Sequence, residues 1–144
     1  MANIVPDAFK LELLSGTHNF ASGGNTFKIA LYVTTLGPPY TTSSTVYSTT
    51  NEVSSSGTGY TTGGNTLDSQ AVSVPGSNTA IVDFANEVFS TVTLTSLGAA
   101  IYNSTNGSKL CLVIDFGGDK VATSGDFTIQ FPADAATTAI IQVA

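Results

Sequence analysis

The side chains that most often carry out catalysis are scarce in this chain of 144 residues, which has one histidine and one cysteine. A cysteine nucleophile needs a neighbouring base, and His18 is the only histidine that could serve Cys111. Cys111 lies in the apolar run 110–114, which favours a buried thiol. No serine lies in a nucleophile-elbow pattern. We therefore predict that the protein is not an enzyme, and that His18 forms a hydrogen bond where a helix meets the first strand.

Several carboxylates could still bind a metal ion or a sugar. Asp115, Asp119 and Asp126 could converge on a calcium ion, because hard cations take carboxylate oxygens. The alternative is that they are turn residues whose side chains bind nearby backbone N–H groups. Glycosidase chemistry needs two carboxylates at a set separation, and Glu52 and Glu87 are candidates that spacing alone cannot pair. On balance we expect neither a metal ion nor a cofactor.

Three short stretches suggest known signatures but lack either the spacing or the context that those signatures require. Asp115-Phe116-Gly117 matches the magnesium motif of protein kinases, but no catalytic-loop motif accompanies it, so we predict a strand that ends in a Gly117–Gly118 turn. The glycine-rich stretch Gly57–Gly64 fits neither a phosphate loop nor a dinucleotide fingerprint and predicts a flexible loop. Asn103 and Asn106 each begin a glycosylation acceptor pattern, which we interpret as turn chemistry.

Composition indicates one folded domain over residues 1–144. Hydrophobic residues make up 42% of the chain and charged residues 10%, the reverse of a disordered chain. The net charge is −6 with four lysines and no arginine, so we expect no nucleic-acid partner and no anionic membrane partner. The first residues lack a signal-peptide pattern and no apolar run is long enough to cross a membrane. We expect synthesis in the cytoplasm, with any export as part of something larger.

The start of the chain predicts one short helix. Pro6 suits a first helical turn, and Asp7 complements the helix dipole there. Phe9, Leu13 and Leu14 would then form one apolar face. Gly16 lies where a helix stop is expected.

The rest of the chain predicts strands. Phe27, Ile29, Leu31 and Val33 alternate along the first, residues 26–33. Asn106-Gly107 is a hairpin signal, and strand 110–116, apolar on both faces, is expected to be central. The remaining strands are predicted at 66–74, 79–84, 87–97, 98–104, 108–116, 126–131 and 139–143. The pattern indicates an all-β protein, an antiparallel β-sandwich or jelly-roll-like fold, with a barrel as an alternative.

Residues 34–65 are different, because Pro38-Pro39 interrupts the strand and a long Ser/Thr/Gly-rich segment follows. Such segments tend to be functional. We interpret it as an extended loop or arm, or as a meandering surface loop that its isolated aromatic residues hold in place. As an arm, it should be removable by deleting residues 41–63 without loss of the fold.

Stretches along most of the chain resemble a widespread group of small structural proteins of tailed bacteriophages. The resemblance begins in residues 9–20 and 26–32 and continues through 47–53, 57–60 and 100–103. It extends to Asp115-Phe116-Gly117 and the isoleucine-rich end. It implies a structural protein of the virion.

Within that class the resemblance favours a capsid cement or decoration protein, a jelly-roll homotrimer that clamps the major capsid protein at the capsid surface. The first alternative is a tail fibre or tail-tip module that binds host-surface glycan. A carbohydrate-binding module or a cell-wall hydrolase would also be β-rich. The chain has no tryptophan, the usual platform for sugars, so tyrosines of the long loop would have to serve.

We predict that the functional residues lie in a protein–protein interface, where aromatic side chains are enriched. The alternative for each of them is ordinary packing in the core. The candidates are Phe9, Leu13, Phe20, Pro38, Tyr40, Tyr47 and Tyr60.

Overall fold

The structure is a computed structural model that describes residues 3–34, 40–76 and 78–144. These residues form a mostly β protein with two antiparallel sheets and one short helix, which confirms the prediction at that level. In chain order the elements are helix α1 (Asp7–Leu14) and strands β1 (Phe27–Tyr32), β2 (Asn65–Thr66), β3 (Ala71–Gly76), β4 (Thr79–Asp83), β5 (Glu87–Asn103), β6 (Lys109–Ile129) and β7 (Ile141–Val143).

The strands are arranged in the orders β2-β1-β5-β6 and β3-β4-β7, which we name sheet A and sheet B. The described strands do not close the two sheets into a barrel. A single core cluster nevertheless takes side chains from both, among them Ile29 and Phe89 of sheet A and Val82 and Ile141 of sheet B. The sheets are thus joined through their side chains.

The long hairpin β5–β6 corrects two strand predictions. Residues 87–97 and 98–104 form one strand, and the strand that we expected to end at Phe116 continues to Ile129. Gly98 is opposite Asp115 and Ser96 is opposite Lys120, so a single residue of β5 faces four residues of β6. Gly117 and Gly118 therefore form a bulge, which interrupts the ladder without ending the strand.

The hairpin predicted at Asn106-Gly107 is confirmed, since β5 and β6 are antiparallel neighbours on either side of it. The positive φ angles fall at Gly107 and Ser108, one residue later than a two-residue turn would place them. The loop comprises the five residues 104–108.

The prediction that residues 110–116 lie centrally is wrong, because β6 is the edge strand of sheet A. Its apolar character has another cause. Two isolated bridges cover this part of the edge, one from Ile4 to Val113 and one from Val46 to Lys109. Residues 110–113 are buried as a result, although no full strand pairs with their outer edge.

Helix α1 begins after Pro6, whose backbone is extended, and is followed by Gly16 at φ +75°, as predicted. Phe9 is buried and Leu13 packs against the core. Leu14 is 90% exposed, so its place on the apolar face was wrong. Successive residues of a helix are about 100° apart around its axis. Leu14, five residues after Phe9, therefore points about 140° away from Phe9, whereas Leu13, four residues after it, points within about 40° of it.

Strand β1 is buried on both faces. Phe27, Ile29 and Leu31 lie in the main core, whereas Ala30 and Tyr32 lie in a second cluster on the other face of sheet A. Val33, predicted to continue the core face, lies beyond the end of the strand and is partly exposed. The second face of β1 therefore needs a cover, and part of the segment 40–64 supplies it.

Gly64 lies directly against β1. A Cβ atom at this position would be 1.8 Å from the carbonyl oxygen of Ile29, and the φ angle is +70°. Both conditions require glycine. The cover of sheet A thus approaches β1 at a distance that no side chain permits.

We expect Gly64→Ala to lower the free energy of unfolding by roughly 3 kcal/mol or more, because it adds a collision with backbone to an unfavourable φ angle. Gly57→Ala is the matched control, since φ is +71° there but the added Cβ meets no atom within 4 Å. It should cost only about 1 kcal/mol. Urea unfolding measures both. Equal losses for the two variants would contradict the close approach.

Candidate functional site

His18 lies at the centre of a buried polar cluster that joins α1 to sheet A. Its Nε2 atom is 2.9 Å from a carboxylate oxygen of Glu12, on the helix. Its Nδ1 atom is 3.1 Å from the side-chain nitrogen of Asn103, at the end of β5. Lys109, which begins β6, donates to the other oxygen of Glu12 at 2.5 Å. The rings of Phe9, Phe20 and Phe27 surround the imidazole.

The hydrogen bonds of Asn103 settle the tautomer of His18. Its Oδ1 atom accepts from the backbone N–H groups of residues 105 and 106, so its amide nitrogen faces the histidine. That amide donates, so Nδ1 must accept and Nε2 carries the proton that is donated to Glu12. His18 is a neutral ring with both nitrogen atoms satisfied.

Cys111 brings a thiol to the same cluster, with its sulfur 3.8 Å from Nδ1 of His18. Cysteine, histidine and carboxylate in contact are the parts of a nucleophile–base–orienting group. However, Cys111 is fully buried and lines neither of the two grooves described below. Burial, and next the nearby carboxylate of Glu12, raise the pKa of the thiol far above its ordinary value. The group holds α1 against the sheet, and its thiol is closed off from both grooves.

The two titrating partners of the cluster respond differently to burial. Burial lowers the pKa of His18, and hydrogen bonding to Glu12 only partly offsets that effect. Burial by itself would raise the pKa of Glu12, but hydrogen bonds from Lys109 and His18 outweigh it and hold the pKa below its ordinary value. Both shifts favour the pair in which histidine is neutral and glutamate is ionised.

All five tyrosines of the chain belong to a second polar cluster, centred on Glu52. Tyr47 donates to one carboxylate oxygen of Glu52 at 2.5 Å, and Tyr60 donates to the other at 2.7 Å. The backbone N–H of Gly63 is the third donor, at 2.6 Å. Tyr102 stacks on Tyr47 with ring centroids 4.4 Å apart. We name this group the tyrosine cluster.

The remaining contacts of the tyrosine cluster fasten the segment 40–64 to β1. The hydroxyl of Tyr60 accepts from the backbone N–H of Leu31 at 3.0 Å. The hydroxyls of Tyr32 and Tyr40 are 2.7 Å apart, and both meet the backbone of Ser48. Burial and the Glu52 carboxylate raise the pKa of Tyr102 to about 12, and burial is also the main cause of the raised pKa of Tyr60.

These positions bear on the predicted interface residues. The structure buries Tyr40 and Tyr60 in the core and stacks Tyr47 on Tyr102. Phe9 and Phe20 are likewise core residues, Leu13 lies partly buried at a groove, and Pro38 is outside the described residues. For Tyr40 and Tyr60 the structure agrees with the alternative of core packing, and with a segment that its aromatic residues hold in place.

The burial of Tyr60 also bears on the prediction that residues 41–63 form a removable arm. Deletion of residues 41–63 would remove Val53, Tyr60 and Glu52, which cover β1, so we no longer expect the deletion to leave the fold intact. The loss of Val53 and Tyr60 would open the main core, and the loss of Tyr47 would uncover part of the cluster on the second face of sheet A.

Four of the carboxylates considered for calcium binding or sugar cleavage, Asp115, Asp126, Glu52 and Glu87, accept hydrogen bonds from within the chain. Among the described residues, no three or more His, Cys, Asp and Glu side chains are arranged to hold a metal ion. Asp115 accepts from the backbone N–H of Gly117 at 2.7 Å, as a turn residue does. Glu52 holds the tyrosine cluster, and Glu87 accepts from the side chain of Asn65 at 2.7 Å.

A long apolar groove of about 1430 Å³ is a candidate binding surface. Residues 126–132 at the end of β6 and residues 138–144 around β7 line it without a gap. Successive side chains of a strand point to opposite faces of the sheet. A groove that is lined by consecutive residues must therefore run along the edges of strands. Leu13 and Leu14 of α1 border the groove. We name it the edge groove.

A smaller groove of about 300 Å³ lies on the other side of Leu13, between residues 18–21 and sheet B. Val72, Ala80 and Val143 line it, and the last two also line the edge groove. Apolar surface therefore continues from β6 across to β3.

No described helix has the length and apolar character needed to cross a membrane.

The chain matches no protein-family model, no curated protein and no solved structure.

We expect acid to destabilise the protein through His18. The unfolded chain takes up a proton near pH 6.5, whereas the folded chain does so only at lower pH. Between these values the unfolded state holds more protons, so the free energy of unfolding should fall as the pH drops below about 6.5. Glu12 should add a further loss below about pH 4.5.

The measurement is urea unfolding at a series of pH values. His18→Gln should be less stable than the wild type near pH 7 but should lose the slope between about pH 6.5 and 5, since it removes the only histidine. The further loss of unfolding free energy below about pH 4.5, which comes from Glu12, should remain. An unchanged slope in His18→Gln would show that the histidine is not the titrating group.

We expect Tyr60→Phe to lower the free energy of unfolding by about 2 kcal/mol, because it leaves the Leu31 N–H without its acceptor and removes a donor from Glu52. Tyr102→Phe is the matched control, since its hydroxyl only donates to the carbonyl of Gly63. It should cost about 1 kcal/mol. Urea unfolding compares the two, and a costlier Tyr102→Phe would contradict the assigned role of Tyr60.

Proposed function

We propose that the protein is a non-enzymatic structural protein of a tailed-phage virion that binds and stabilises the major capsid shell as a cement or decoration protein. The observation that carries the proposal is the edge groove, a large open apolar surface beside unpaired strand edges. Apolar surfaces of this kind mark protein–protein contacts. The resemblance of the sequence to small virion proteins supports the choice of partner.

Two features support a structural role over a catalytic one. Cys111 and His18 are buried, and His18 and Glu12 form hydrogen bonds with partners within the chain. The carboxylates considered for sugar cleavage support the fold instead. Rigid packing with an open apolar edge suits a protein that clamps others.

The finer architecture belongs to the same proposal. We infer that sheets A and B are the two halves of a jelly-roll-like β-sandwich and that the protein acts as a homotrimer on the capsid surface. The shared core of the two sheets and the open edges of β6 and β7 support this arrangement. Binding by an edge strand adds backbone hydrogen bonds to side-chain contacts.

A glycan-binding tail module is the rival, and the structure favours it less. Sugar recognition would use exposed aromatic faces, but Tyr40 and Tyr60 are buried and their hydroxyls are engaged. Their raised pKa values follow from that burial.

The test is an electron-microscopy reconstruction of the purified particle made by the phage that encodes this chain. We expect many copies at regular positions over the shell. Quantitative mass spectrometry of the same particles should give a fixed, high ratio of this chain to the major capsid protein. A few copies at the tail, or none in the particle, would reject the cement function, and the tail position would direct attention to glycan binding.

A further inference from the structure

Strand β3 is unusual because every one of its residues is exposed. Val72 and Val74 are 53% and 65% exposed, and the outer edge of the strand is unpaired in the described chain. Strands are stabilised by packing at least one face against other residues. Within the described residues, β3 of the β3–β4 hairpin is therefore an exposed apolar strand at the edge of sheet B.

The register of sheet B shows why this surface is apolar. Val72 is opposite Val82, which in turn is opposite Ile141, and the last two are buried in the core. The same face of the sheet continues past the core through Ala80 and Val143, and Val74 is exposed where the register of β3 shifts. Sheet B extends beyond the core that it covers, and the hairpin is the projecting part.

The hairpin projects from the protein, whereas the edge groove is a recess in its surface. Its wall includes the outer edge of β6 after Val113, with which no described strand pairs. An added strand could make backbone hydrogen bonds there while its side chains fill the apolar groove. The exposed Leu14 and Val121 lie along that wall.

The charges of the two surfaces are also complementary. Lys10 and Lys120 are the two exposed lysines of the chain, and both line the edge groove. The hairpin lies in a stretch with no basic residue between Lys28 and Lys109, and Asp68 and Asp83 lie at its base. Lys10 is paired with Asp7 at 2.9 Å and Asp126 also lines the groove, so in a protein of net charge −6 it is Lys120 that offers positive charge to a second acidic copy.

We propose that the β3–β4 hairpin of one copy inserts into the edge groove of a second copy and adds β3 to the open edge of β6. The contact joins two different surfaces, so it is head-to-tail, and a fixed rotation between copies would close it into a ring. The inference concerns self-assembly and holds whether or not the assembled protein binds a capsid.

The experiment uses the full chain with one altered surface at a time. The hairpin variant is V72K/V74K, which places positive charge opposite the lysines of the groove. The groove variant is L14E/K120E, which places negative charge opposite the acidic hairpin. Val46→Glu is the control, because Val46 is 49% exposed and lies outside both grooves. Circular dichroism and thermal unfolding verify that each variant is folded.

Sedimentation velocity over a range of concentrations reports assembly. The wild type and Val46→Glu should assemble alike, whereas the hairpin variant and the groove variant should each raise the dissociation constant by roughly tenfold or more. Mixing the two impaired variants should then restore a complex that contains both chains. In that complex the unaltered hairpin of one chain meets the unaltered groove of the other.

Each other outcome overturns the proposal. A wild type that stays monomeric at all concentrations removes the contact altogether. Loss of assembly in only one of the variants means that one surface pairs with its own copy. Loss in both variants without recovery on mixing means that the hairpin and the groove are not partners.

Discussion

Glu52 and its three donors hold the segment that covers the second face of sheet A. Strand β1 is buried on both faces, yet the residues that cover one of them form no sheet of their own. A segment without a regular ladder must satisfy its polar groups through side chains. Glu52 does this for Tyr47, Tyr60 and Gly63 together, and Gly64 then fits against Ile29 without a side chain. If that carboxylate lost its donors, the contact with β1 would lose its support.

The His18 cluster applies the same principle on the other face of sheet A, where Asn103 follows Tyr102 along β5. There an ionised glutamate on α1 meets a lysine of β6 and a neutral histidine, and Asn103 completes the set. Charged residues are few in this chain, and three of them, Glu12, Glu52 and Lys109, lie where irregular or helical segments join the sheets. Polar groups fix the position of these segments, while aromatic packing around His18 supplies the apolar contact.

Local patterns in the sequence identified the elements whose causes are local. The stop of α1 at Gly16, the alternation of β1 and the hairpin at Asn106-Gly107 depend on neighbouring residues, and all three are present. The continuity of β6 could not be read in the same way, because Gly117-Gly118 looks identical in a turn and in a bulge. Only the pairing of Ser96 with Lys120 distinguishes the two.

The two polar clusters could not be predicted from the sequence. Tyr40 and Tyr60 are surrounded by serine, threonine and glycine, so no periodicity marks them as buried, and their partners are distant in the chain. His18 was expected where the helix meets a strand, but its contacts with Asn103 and Cys111 span 85 and 93 positions. The edge groove likewise depends on which strands remain unpaired, and that is a property of topology.

The distribution of lysine has a consequence for resistance to digestion. Enzymes of the trypsin type, whose specificity pocket carries an aspartate, cleave after basic residues, and this chain offers only four such positions. All four lie within regular elements, one in α1, one in β1 and two in β6. Cleavage needs an accessible, flexible backbone, so each of these bonds is protected until its helix or strand opens. Eighty consecutive residues, numbers 29–108, contain no such bond at all, so this part of the chain would survive as one fragment even after the protein had opened.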